Sequence, residues 1–256
     1  LPSLSNAANT FSYMRSLGDT AIDFDIAPAQ ISNDHHQQSP NNSTIDNTFS
    51  SLSITRRQEA KKVEWPFIIL RGNGTIYVLC ASLNTEKPRL QGPLTMMPSQ
   101  KDNYGDDSCS MLVIATYPVT IVIAENSGIL HHALLIEKRF ENSQLDDTNT
   151  ILQNDWDLFV LENIELELGL EEDDKDTCHL PLYLKKDPIN EHRYFCYHDA
   201  GLHGITMGFI QQLQKFVEET DDDFNANIPS RAEYILSTKA FNNSKTNAVC
   251  GMGILQ

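Results

Sequence analysis

The sequence predicts an all-β chain built from repeated antiparallel sheets, a partial β-propeller with long polar insertions and at most one short helix. Three observations predict it. Short β-branched and aromatic runs are bounded by Gly, Asn, Asp or Pro. Two of the tight turns end in glycine. A strand-leading pattern of small or acidic residues recurs along the chain.

The clearest strands are Thr20–Ile26 (TAIDFDI), Trp65–Leu70 (WPFIIL) and Thr75–Ser82 (TIYVLCAS). Ser110–Thr116, Thr120–Ala124, Ile129–Ile136 and Asp157–Glu167 follow. In RGNG the turn ends at Gly74, and in ENSG it ends at Gly128. Glycine reaches positive φ there without a Cβ clash, which a tight hairpin requires. One helix is expected at Phe209–Val217, where Ile210, Leu213 and Val217 fall three and four apart. That segment reads equally as a strand followed by a short turn.

The recurring lead-in is seen at GDTAIDFDI, DDSCSMLVIAT and DAGLHGITMGFI. These begin near Gly18, Asp106 and Asp199, a spacing of roughly 90 residues against about 40–45 for an ordinary propeller blade. Enlarged blades fit the pattern, and so does a β-sandwich. No repeated WD signature is present. Residues 29–60 are rich in Gln, Asn and Ser, show no sustained period, and read as a disordered insertion. Glu141–Asp155 and Glu218–Ser230 look similar in kind.

Composition limits the function. The formal net charge is −16 over 256 residues, with hydrophobic residues at 40%. Nucleic-acid affinity comes chiefly from clustered Lys and Arg, so direct nucleic-acid binding is not expected. The acidic balance suits basic protein partners. Glu171–Asp176 and Glu218–Asp223 concentrate the charge and read as solvated loops. No apolar run approaches the length of a membrane span, and LPSLSNAANT does not read as a signal peptide. The absence of an initiator Met suggests a fragment. The five cysteines are far apart and form no CxxC, so buried thiols in a reducing compartment are expected.

The chemical motifs are weak. His131 and His132 are adjacent on a strand, so their side chains point to opposite faces and do not share a metal. Cys196 and His198 would share a strand face, and a zinc-stabilised domain or metal enzyme centred on them is the alternative reading. Two ligands are not four, however, and no cofactor or metal is expected. Asp23 and Asp25 alternate with Ile22 and Phe24, giving a strand with one wet face. No hydrolase elbow or dinucleotide fingerprint occurs. The segment Leu90–Gly105 holds Leu94, Met96 and Met97 between Pro93 and Pro98. An apolar triplet in a proline-bounded connection is expected to be partly exposed and to contact a protein partner.

Several segments together carry a family resemblance. They are YMRSLGDTAIDFDIAP, GPLTMMPSQKDNYGDDSCSMLVIAT, IVIAENSGILHHALLIE, LFVLENIELELGL and LKKDPINEHRYFCYHDAGLHGITMGFIQQLQKF. In this order, from about Tyr13 to Lys239, the chain resembles the eighty-eight-kilodalton nucleoporin family, called members-only in insects. The resemblance implies that residues 1–256 are about half of a seven-bladed propeller in a non-enzymatic scaffold. It also implies a place on the cytoplasmic side of the nuclear pore complex and a part in export of protein and mRNA. Implied partners are other nucleoporins: the autoproteolytic domain of an FG nucleoporin and the filament nucleoporin of two-hundred-and-fourteen kilodaltons. The family's GPLPM segment corresponds to the stretch around Met96, which the resemblance makes a docking place for the autoproteolytic domain. The resemblance is weakest in the polar insertions. An open set of blades is expected to be poorly soluble alone, because strand edges template aggregation.

Overall fold

A computed structural model of the chain describes residues 20–32, 62–83, 88–98, 105–137, 156–169, 181–218, 228–239 and 248–255. Glu141–Asp155, Glu171–Asp176, most of Glu218–Asp223, and Cys178 with His179 lie outside the described residues.

Three sheets follow one another along the chain. The first holds β1 (Ala21–Ile26), β2 (Gln30–Ser32), β3 (Lys62–Arg71), β4 (Ile76–Ala81) and β5 (Arg89–Leu94). Its order is β1-β3-β4-β5, with β2 on β3. The second holds β6 (Met96–Met97), β7 (Ser108–Ile114), β8 (Val119–Glu125), β9 (Ile129–Glu137) and β10 (Trp156–Glu165). It runs β7-β8-β9-β10-β6, antiparallel except where β6 lies parallel to β10. The third runs β11 (Tyr183–Lys186), β12 (Arg193–His198), β13 (Gly201–Thr206) and β14 (Arg231–Ser237). A helix, α1 (Ile210–Val217), links its last two strands and buries Ile210 and Leu213.

Most expected strands and the helix form within a residue or two of their expected bounds. Gly74 and Gly128 end their hairpins at φ 75° and 97°. Asn73 braces the first turn, its Oδ1 accepting from the Thr75 amide at 3.2 Å and hydroxyl at 2.7 Å. Three expectations are corrected. The stretch 29–60, expected to lack regular structure, starts with β2, which pairs with β3; residues 33–60 lie outside the described residues. Three sheets exclude a two-sheet sandwich. The third lead-in, near Asp199, does lead into a strand, β13, but from within a sheet, so the lead-in spacing is not the sheet repeat. The third sheet starts at Tyr183, on a four-residue strand whose two lysines hide its apolar pattern.

The second sheet lies between the other two, and its residues explain why. Val119–Glu125 is buried along its whole length, so both faces of β8 are dry. Ile121, Ile123, Ala133, Leu135 and Leu158 face Ile68, Leu70, Ile76 and Val78 of the first sheet. Val122, Leu130 and Leu134 face Tyr194, Cys196 and Ile205 of the third, together with Phe209 at the start of α1. Each fully buried Val, Leu, Ile or Phe among them contributes about 1.5–3 kcal/mol.

The sheets are not stacked flat. Packed sheets stand about 10 Å apart, so the first and third would be roughly 20 Å apart across a middle sheet. Yet Lys186 of β11 pairs with Asp25 of β1 at 2.8 Å. The edge strands β1, β7 and β11 therefore converge on one line, and the sheets spread from it as a fan. The join is polar. Asp23 accepts from the Met111 amide at 2.7 Å and the Ser110 hydroxyl at 3.1 Å, and Asp25 accepts from the Val113 amide at 2.8 Å. Those amides lie on the open edge of β7, where unpaired backbone groups need partners. The DFD alternation is thus inverted from its expected sense: the aspartates face the next sheet while Phe24 stands 65% exposed.

Candidate interaction surface

The segment expected to be an exposed connection is two strands. β5 closes the first sheet at Leu94, and the chain crosses to the second, where Met96 and Met97 pair with Leu158 and Phe159. Leu94 and Met96 are 4% and 3% exposed and belong to the core between these sheets. The correction has a plain cause: pairing with β10 turns alternate side chains inward. Met97 is half-buried and sits beside Phe159, which is 44% exposed. The outward part of the triplet is therefore Met97, extended by an aromatic residue that the sequence pattern did not single out.

Each end of the fan carries an apolar face. On the first sheet, Ile22, Phe24, Phe67, Ile69 and Leu79 line a groove of about 430 Å³. On the third, Tyr183 stacks on Tyr197 with ring centroids 5.1 Å apart, and Arg193 lies over Phe195 at 5.4 Å.

The histidines are structural and point apart as expected. His131 bonds Glu125 through Nε2 at 2.7 Å and Asn163 through Nδ1 at 2.8 Å. His132, fully buried, bonds Glu162 through Nδ1 at 2.7 Å and the Tyr194 hydroxyl through Nε2 at 2.7 Å. Ser230 closes this network, its amide and hydroxyl both donating to Glu162. Ser230, His132 and Glu162 have the residue types of a nucleophilic triad but not its geometry. The Ser230 hydroxyl donates to the carboxylate and stands 3.5 Å from His132 Nδ1, the nitrogen already held by Glu162, while Nε2 is taken by Tyr194, so no imidazole nitrogen is left to act as its base. The network instead ties the second sheet to the third.

Cys196 and His198 share the inward face of β12, as their spacing requires, but they do not form a metal centre. The Ala200 amide donates to His198 Nδ1 at 3.1 Å, which leaves the His198 proton on Nε2, directed at His203 Nε2 3.0 Å away. Burial pushes the Cys196 thiol far above its usual range, with the Cys109 thiol adding to the effect, so it stands as a buried, protonated thiol. Burial likewise pushes Cys109 up to about 12. Among the described residues no three His, Cys, Asp or Glu side chains converge as a metal site. No helix among the described residues is long and apolar enough to cross a membrane.

A fan of β-sheets joined by polar contacts, with apolar faces left outward, defines a β-rich interaction scaffold. The chain belongs to the Nup88 family of nuclear pore components, whose model matches residues 2–256. It is a structural family, not an enzymatic one. In fold the chain is similar to a chain of the Chaetomium thermophilum Nup82 NTD–Nup159 TAIL–Nup145N APD complex. The TM-score is 0.51 at 12% identity, covering 71% of this chain and 50% of that one. A chain of the yeast Nup82–Nup159–Nup116 complex also matches, with a TM-score of 0.42 at 18% identity, over 58% of this chain and 32% of that one. The chain thus spans half the length, or less, of the solved chains it matches.

Proposed function

We propose that the three sheets are consecutive blades, about half of a seven-bladed β-propeller within a single domain over residues 1–256. That propeller is a scaffold on the cytoplasmic side of the nuclear pore complex. It docks other nucleoporins and so supports export of protein and mRNA. The observation that carries the reading is the convergence of the edge strands through Asp25 and Lys186, because blades radiate from an axis while sandwich layers do not. The apolar end faces are where neighbouring blades would pack.

The proposed partners are the autoproteolytic domain of an FG nucleoporin and the filament nucleoporin of two-hundred-and-fourteen kilodaltons. Nup159 and the Nup145N domain accompany Nup82 in the fungal complex. The acidic chain argues against direct nucleic-acid contact.

Docking of the autoproteolytic domain centres on Met97, while Leu94 and Met96 hold the segment in place from the core. Met96→Glu would bury a charge and unfold the local strand, so it is a poor probe of binding. Met97→Glu is the test. By calorimetry it should weaken the autoproteolytic domain's affinity about 30-fold, the scale of a hot-spot loss, with an unchanged melting temperature. Undiminished affinity would remove Met97 from the interface.

A further inference from the structure

We propose that the outer edge of β14 is a strand-addition site for an extended, net-positive segment of a partner protein. The proposal stands apart from the docking reading at Met97 and does not need it.

A strand at the edge of a sheet presents a row of unsatisfied N–H and C=O groups that template another strand. Among the described residues, two of the three outer edges are protected. β5 carries Pro93, which has no N–H to offer, and its end leaves at once for the second sheet. β10 is covered by β6 in a parallel pairing. β14 has neither device. Among the described residues it lies at the end of its sheet and pairs with β13 alone. All seven of its residues are exposed, none is Pro, and its charges, Arg231 and Glu233, pair with each other at its start. Tyr234, Ile235 and Leu236 are 38%, 54% and 50% exposed.

The occupant follows from charge and precedent. A second copy of the chain would bring one net charge of −16 against another, and such like-charged bodies repel. A segment with Lys or Arg between apolar residues is attracted instead. β6 supplies the precedent inside the molecule: an extended piece, its side chains alternating inward and outward, seated on an outer strand. Backbone bonds give the affinity in this mode, and alternate side chains give the selectivity.

The probe is an acetylated nonapeptide alternating valine and lysine. Controls are its valine–aspartate counterpart and a peptide of the same composition with the valines gathered at one end. Hydrogen exchange followed by mass spectrometry should show amides 231–237 slowed at least tenfold by the alternating lysine peptide and by neither control. Ile235 falls where the β13 register shifts, so a proline is tolerated there. Ile235→Pro should abolish the protection. Ile235→Lys keeps the backbone intact and should weaken binding severalfold through like charge. Three results would overturn the proposal: protection elsewhere or nowhere, equal protection by the blocked-valine peptide, or protection of 231–237 that rises with protein concentration and no peptide. The last would identify a second copy as the occupant.

Discussion

His132→Ala destabilises the folded chain by about 3 kcal/mol, the scale for removing one member of a buried, charge-assisted pair. His132 is fully buried between two sheets and serves Glu162 on one side and Tyr194 on the other. Its removal leaves the buried Tyr194 phenol facing a cavity and the part-buried Glu162 carboxylate without its imidazole partner. Tyr194→Phe, which removes one hydroxyl, should cost about 1.5 kcal/mol. Urea denaturation followed by circular dichroism measures both. A His132→Ala loss under about 1 kcal/mol would mean that the network does not hold the sheets together.

That join, and a second buried group inside the third sheet, make the fold sensitive to acid, and the sign is the same for both. Burial alone would raise the Glu162 carboxyl, but its hydrogen bonds from His132 and Ser230 outweigh burial and hold it below its usual 4.5. Its contribution is complete above 4.5 and lost as pH falls through the depressed value. Burial, with the neighbouring His198, lowers His203 from 6.5 to about 4. Its folded form resists a proton that the unfolded form takes, so stability falls as pH drops from about 6.5 towards about 4. The His132→Ala variant, lacking the bond that depresses Glu162, should show a shallower loss below pH 4.5 than the parent chain.

Gly201→Ala has the second large effect. A Cβ there would stand 2.2 Å from the Leu236 carbonyl oxygen and 2.6 Å from the Tyr234 ring. The obstacle is backbone of the paired strand, so β14 must move away from β13. The expected cost is about 3 kcal/mol, the upper range for overpacking. Gly204→Ala meets only the flexible end of Ile235 at 2.9 Å and should cost about 1 kcal/mol. Hydrogen exchange at 231–237 separates the two: rapid in Gly201→Ala, near the parent in Gly204→Ala. Equal exchange in both would contradict the close β13–β14 approach.

Much of this fold is legible in the sequence because the middle sheet is dry on both faces. Its strands are continuous apolar runs, IVIA and ILHHALLI, and the hairpin glycine between them needs positive φ. Other elements were hidden for physical reasons. Leu94 and Met96 share a sequence pattern with an exposed loop, and only the pairing of Met96 with β10 buries it. Asp23 and Asp25 look solvated until the open edge of β7 supplies amides for them. In β14 a charged start and an exposed apolar end give no period to follow, because neither face is covered. The Glu162–His132–Tyr194 join unites residues far apart in the chain, so no local spacing could announce it.

The convergence of the three sheets is tested most directly by paired spin labels, with Cys178 and Cys250 replaced by serine. One pair replaces Phe24 and Tyr183, on the first strands of the outer sheets; the other replaces Leu90 and Ile235, on or near their last. A fan requires the Leu90–Ile235 separation to exceed the Phe24–Tyr183 separation by at least about 10 Å, one sheet spacing. Equal separations would mean flat, parallel layers and would contradict a propeller.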